Sequence, residues 1–318
     1  MSWSRASAFW ESQRQRRVGL AVLALLALLV PVLITTFYVG VLTRVLILAA
    51  FGTAYNFAFG YANLPAFGPV VFYGIGAYGF VLTIAAFPGS ILLPVALSII
   101  VAFGYSLLVG IISTRGTGIY FALLTFAFAQ IVYEIGFRAT NITGGASGRL
   151  IDATNLPFGR TLLQTNVVYL IALAVFVGFL MLVWHLVRTP FGMVVKAVAS
   201  NETRARSLGY PVRRVKIAVF VVSMTLCAIP GILAAINNQF VSTSSLHFEL
   251  SLEVILVTLL GGLGTLLGPL VGSAFFVGLT HVTKDFANVG TLLTGAILIV
   301  VVLRLPDGVI GYLQEQRD

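Results

Sequence analysis

Charged residues are what this sequence has least of. Asp, Glu, Lys and Arg together make up 9% of its 318 residues, against roughly 25% in an ordinary soluble domain, while 59% are hydrophobic. Such a chain cannot wrap a core in a solvated surface, which excludes a soluble enzyme or binding module and leaves an integral membrane protein. Cysteine is nearly absent: Cys227 stands alone, so it forms no intrachain disulfide, and its apolar surroundings give it the role of a small buried hydrophobe. The three histidines, His185, His247 and His281, are scattered and show no HExxH spacing, so no metal site is expected. No Gly-x-x-x-x-Gly-Lys-Ser/Thr phosphate loop occurs, and no nucleophile or acid-base pair converges. The chain is therefore expected to be no enzyme, to carry no cofactor and not to hydrolyse ATP.

Long polar gaps are also missing, so there is no room for a sizeable soluble domain. At roughly 20 apolar residues per crossing, the chain holds about 8 to 10 spans. They are expected near 18–38, 42–60, 68–87, 91–112, 116–136, 164–186, 216–237, 251–267, 269–283 and 289–304. The pair 251–267 and 269–283 is short enough to be one broken unit. The fold class is an all-α polytopic bundle with broken or short helices. A segment 1–17 precedes the membrane domain 18–304, and a tail 305–318 follows it. The first apolar run is too long for a signal peptide and lacks a small-residue cleavage site, so it reads as a retained span.

The net charge of +9 is not gathered on one soluble face as nucleic-acid binding requires. It reads as a topology signal in a lipid bilayer. With the N-terminus in the cytoplasm, Arg44, Arg138, Arg149, Arg160 and Lys284 fall outside, and the other 14 of the 19 Lys and Arg fall inside. That bias places both termini and the basic island 188–216 in the cytoplasm.

Two apolar runs are interrupted alike and then restart on Gly-Pro: "ANLPAFGPVVFYGIGAY" (62–78) and "GGLGTLLGPLVGSAFFVG" (261–278). Proline suits the first position of a helix, where its missing N–H has no intrahelical partner. Pro69 and Pro269 thus open helices within the membrane, which protein or a wet cavity must then support. Two readings stay open. One is close packing, with Gly268 and Gly272 as a small-xxx-small contact. The other is a translocation path formed by Asn63, Gly68, Pro69, Gly268 and Pro269, with the helix ends holding a carboxylate. Asn56, Asn237, Asn238 and Glu253 can likewise line a path or bridge helices. Gln130 and Glu134 share a helix face, and Glu134 can pair with Arg138 four residues on.

The island "RTPFGMVVKAVASNETRARSLGYPVRRVK" (188–216) has internal order. A helical run meets Asn201 as a possible N-cap, and Glu202 suits the positive helix end. Gly209 followed by Pro211 suits a stop, giving a short helix over about 202–208. Taken alone it is either a positive-inside anchor or a docking element.

At this island the sequence resembles the inner-membrane permeases of ABC importers, specifically the branched-chain amino-acid permease family of the LivM type. Similar stretches are "GYANLPAFGPVVFYGIGAY" (60–78), "RGTGIYFALLTFAFAQIVYE" (115–134), "NITGGASG" (141–148), "SLHFELSLEVILVTLLGGLGTLLGPLVGSAF" (245–275) and "VVLRLPDGVIGYL" (301–313). They run in order over about 42–313. The resemblance implies a multi-pass subunit in a bacterial cytoplasmic (inner) membrane. Its implied partners are two ABC ATPase subunits that carry ATP and Mg, a second LivH-type permease chain and an extracytoplasmic solute-binding protein. It implies an amino-acid substrate, and coupling to the ATPase through Glu202, Ala205, Leu208 and Gly209. The likeness has two departures. Gly209 stands one residue further from Glu202 than in the general importer loop, and Ala66 and Gly68-Pro69 replace a Ser and a Gly-His pair. Urea or short amides are the alternative substrates, and a stand-alone secondary transporter is the alternative mechanism.

Overall fold

In the computed structural model, residues 35–152, 163–283, 292, 295–299, 304, 308 and 309 are described. Among the described residues, six helices are long and apolar enough to cross a membrane: α1 (Thr36–Asn56), α2 (Pro69–Ala86), α3 (Leu92–Ser113), α4 (Ile119–Arg138), α6 (Thr165–Arg188) and α9 (Val212–Asn238). Between α4 and α6 lies the single turn α5 (Thr140–Thr143). The basic island carries α7 (Pro190–Ser200) and α8 (Glu202–Ser207). After α9 come the shorter helices α10 (Phe248–Gly261) and α11 (Gly268–Thr283). A two-residue antiparallel pair joins β1 (Arg149–Leu150) to β2 (Phe240–Val241).

Burial separates an inner from an outer set. In the most apolar window of each helix, 67, 61 and 67% of positions are buried in α1, α2 and α9, against 28, 28 and 33% in α3, α4 and α6. Glycine lets the inner helices approach backbone to backbone. A Cβ at Gly76 of α2 would collide with the Ala228 carbonyl of α9, and one at Gly231 of α9 with the Tyr73 carbonyl of α2. Several helical hydroxyls are satisfied within their own turn: Thr43 donates to the Val39 carbonyl at 2.8 Å and Thr53 to that of Ala49 at 2.7 Å, whereas the buried hydroxyls of Tyr78 and Ser113 find no partner among the described residues.

The sequence expectations need correcting in two places. A break between 38 and 42 does not exist, because α1 runs unbroken from Thr36 through Val41. Residues 251–267 and 269–283 fall short of two full crossings and form one antiparallel hairpin of α10 and α11. A Cβ at Gly272 would strike the Val257 carbonyl, and one at Gly261 the Gly268 carbonyl, so the legs pair 257 with 272 and 261 with 268. With 14 and 16 residues, the legs reach about 21 and 24 Å at 1.5 Å per residue, short of a bilayer core of roughly 30 Å. The predicted spans 18–38, before Thr35, and 289–304, for most of its length, lie outside the described residues, as do the segments 1–17 and 310–318.

The long helices alternate in direction between two faces. Arg213, in the first turn of α9, donates to the Ile111 carbonyl at the end of α3, while Asn237 at the other end of α9 shares a cavity wall with Arg44 of α1. One face carries the basic loop and the other the cavity.

Candidate functional site

On the loop face, residues 188–216 fold as a helix-turn-helix. Thr189 caps α7 by accepting from the Gly192 N–H at 3.4 Å, and Pro190 occupies its first turn. Asn201 caps α8, accepting from the Arg204 N–H at 2.8 Å. Gly209 ends that helix with φ 85°. Its N–H bonds the Arg206 carbonyl at 3.0 Å, and the Tyr210 N–H bonds that of Ala205 at 3.1 Å. These two bonds are the Schellman arrangement, which requires a left-handed residue that glycine supplies without strain. Glu202 forms an ion pair with Lys216 of α9, whose side chain is 8% exposed, so the start of α8 is tied to the first turn of α9.

This geometry sorts the four docking candidates. Leu208 is 71% exposed and Ala205 only 3%. The expectation that Ala205 offers packing surface to a partner is corrected: its methyl is used inside the chain to seat α8. Glu202 is engaged with Lys216, and Gly209 shapes the turn that presents Leu208 and Tyr210.

Midway through the protein the two interruptions meet. After α1 a π-turn covers Phe57–Tyr61, and the chain returns through residues 62–68 to Pro69. The Asn56 amide clamps the facing break: its Nδ2 donates to the Thr265 carbonyl at 2.8 Å, and its Oδ1 accepts from the Gly264 N–H at 3.1 Å. Tyr55 Oη donates to the Ala66 carbonyl at 2.9 Å, and the Phe67 N–H donates to Thr125 Oγ1 at 3.0 Å. Every one of these bonds serves a backbone group that a broken helix would otherwise leave bare. Gly68 and Gly268 are buried; a Cβ at the first would collide with the Thr125 carbonyl, and one at the second with Thr265 Oγ1. The N–H groups beyond the prolines are occupied: that of Val70 donates to Ser251 Oγ at 3.3 Å, and those of Leu270 and Val271 donate to the Leu267 carbonyl at 3.1 and 3.2 Å. Asn63 is exposed, with φ 52°. The structure thus packs Gly68 against α4, at Thr125 and Ala129, Gly268 against Thr265 and Gly262, and Pro269 against Gly52 of α1.

The opposite face holds a cavity of about 330 Å³, at the lower end of the roughly 300–1,000 Å³ typical of small-molecule sites. One face of α1 (Arg44, Ile47, Leu48 and Phe51), Tyr73 of α2 and the end of α9 (Ala234, Asn237 and Asn238) form most of its wall. Ser244, Ser245, Leu250 and Glu253 complete it. A second cavity of about 320 Å³ shares Arg44 and Asn237, and is bounded further out by Phe37 and by Val277, Thr280 and His281 of α11. None of the five residues assigned to a path by sequence lines either cavity. Of the polar residues left open, Asn56 bridges helices, while Asn237, Asn238 and Glu253 line the cavity. Arg44 went unrecognised although the signal was present: an arginine at 44 with apolar residues at 47, 48 and 51 puts a charge on the stripe that a helix turns inward. Glu134 and Arg138 pair at 2.5 Å on the exposed face of α4, as their spacing indicated.

Broken helices packed in a polytopic bundle, with a polar cavity at one face and an ordered surface helix at the other, define a membrane transport subunit. A family profile described as "Branched-chain amino acid transport system / permease component" matches residues 37–302. The chain belongs to that family, and is a multi-pass permease component of an ABC importer. It is similar to the high-affinity branched-chain amino acid transport system permease protein LivM of Escherichia coli K12, 27% identical over 95% of this chain and 76% of that protein. The LivM of Salmonella typhimurium is 26% identical over the same shares. Shorter likenesses reach the autoinducer 2 import permease LsrC of Klebsiella pneumoniae (36% identical, 32% of this chain and 31% of that protein). The ribose import permease RbsC of Haemophilus influenzae is 26% identical over 40% of this chain and 42% of that protein. No solved structure matches.

Proposed function

We propose that this chain is the membrane subunit through which an ABC importer of the bacterial inner membrane admits branched-chain amino acids. A binding protein delivers substrate at the cavity face, and ATPase subunits carrying ATP and Mg drive the cycle from the loop face, which is cytoplasmic. A second permease chain completes the pathway. The observation that carries the substrate reading is the extent of likeness: the amino-acid permeases match 95% of the chain, whereas the autoinducer and ribose permeases match 32 and 40%. On the loop face, Leu208 and Tyr210 offer an exposed apolar tip that fits a groove in a soluble partner, and the tie from Glu202 to Lys216 passes its movement to α9 as a rigid body.

The test is reconstitution in proteoliposomes with the two ATPases, the second permease and the binding protein. ATP-dependent uptake of leucine, isoleucine or valine is expected only from the full assembly. Uptake driven by an ion gradient with this chain alone, or transport of urea or acetamide in place of amino acids, would overturn the reading.

A further inference from the structure

The cavity on the face opposite the basic loop has a charge pattern that packing does not require. Arg44 on α1 and Glu253 on α10 line the same space and lie close enough to influence each other electrostatically. Yet among the described residues neither belongs to an ion pair; the pairs formed are Arg138 with Glu134, Lys216 with Glu202 and His247 with Glu249. Arg44 is exposed and Glu253 partly so, so both groups are accessible from the cavity they line. Two opposite charges that do not neutralise each other in a membrane protein leave a place for something that neutralises both.

We propose that Arg44 and Glu253 hold the two ends of a free amino acid, the guanidinium taking the α-carboxylate and the carboxylate taking the α-ammonium. This rests on the importer reading and assigns its substrate a site on this chain. A zwitterion carries no net charge but loses the hydration of two full charges on leaving water, and only fixed charges of opposite sign replace that hydration. An anion or a cation of the same size would leave one of the two residues unpaired. Urea and short amides need neither. Ile47, Leu48 and Leu250 add apolar wall for an aliphatic side chain, and Asn237 and Ser245 add neutral hydrogen-bonding groups. The second cavity shares Arg44 and Asn237 with the first, so the same arginine borders both spaces.

The test uses the full reconstituted assembly. Arg44→Gln and Glu253→Gln should each lower L-leucine uptake by about tenfold or more, the loss expected when one of two charge-assisted bonds is removed, with assembly and binding-protein docking unchanged. In addition, Ser245→Cys provides a reporter, since the native Cys227 is fully buried and should not react. Alkylation of that cysteine should slow in excess L-leucine but not in 4-methylpentanoate, which lacks the ammonium, or in leucinamide, which lacks the carboxylate. Variants that transport leucine at the wild-type rate overturn the proposal. If the charge variants fail to assemble, the cysteine decides: equal protection by all three compounds, or by none, overturns it. A wild-type assembly that imports no amino acid overturns the importer reading itself and this inference with it.

Discussion

At the scale of single residues, Asn56 does more than any other side chain to make the broken helices tolerable. Its amide has one donor and one acceptor committed to Thr265 and Gly264, across 209 positions of sequence. Asn56→Leu keeps the volume and removes both bonds. Leaving a buried carbonyl and a buried N–H unpaired costs roughly 1–3 kcal/mol each, so the variant should lose thermal stability in detergent well beyond what Asn56→Asp, which keeps the acceptor, loses. Equal melting temperatures for the two would mean that the clamp contributes nothing. Gly68 and Gly268 both lie in close contact with their neighbours. A leucine at Gly68 or Gly268 meets backbone or side-chain oxygen at once, so a loss of transport there would not by itself report on a path.

Among the elements, α8 carries the proposed docking tip, the exposed Leu208. Leu208→Asp places a charge on its exposed tip without touching the seat formed by Ala205. It should prevent the ATPase from co-purifying, or uncouple hydrolysis from uptake, while the chain itself stays folded; normal assembly with normal uptake would reduce the helix to an anchor. The caps and stop of α8 were legible in the sequence because Asn201, Glu202 and Gly209 act through local chemistry that depends on a few neighbouring residues. Spans were legible for the same reason, as composition over a window. What escaped the sequence was relative placement. Lys216 counted as one more topology charge, yet it is buried against Glu202. The turn of the hairpin was visible as a broken run, but only the contacts of Gly261 and Gly272 show that its legs lie side by side. Arg44 and Glu253 sit more than two hundred residues apart, and no local pattern joins them.

For the whole molecule, the six long helices pass alternately between the two faces, and α10 and α11 leave and return on one of them. Reporters fused after Leu246 and after Thr283 should therefore give the same sidedness, and opposite sidedness would mean that the hairpin is one crossing. The consequence is one of parity. An element that comes back to the side it left adds nothing to the count of crossings, so it is free to lengthen, shorten or shift in depth without inverting any segment that follows it. Among the described residues, the parity of crossings up to the hairpin is set by the six long helices before it. The hairpin is thereby released from topological duty, and what fixes its depth is the clamp of Asn56 on its tip at Gly264 and Thr265.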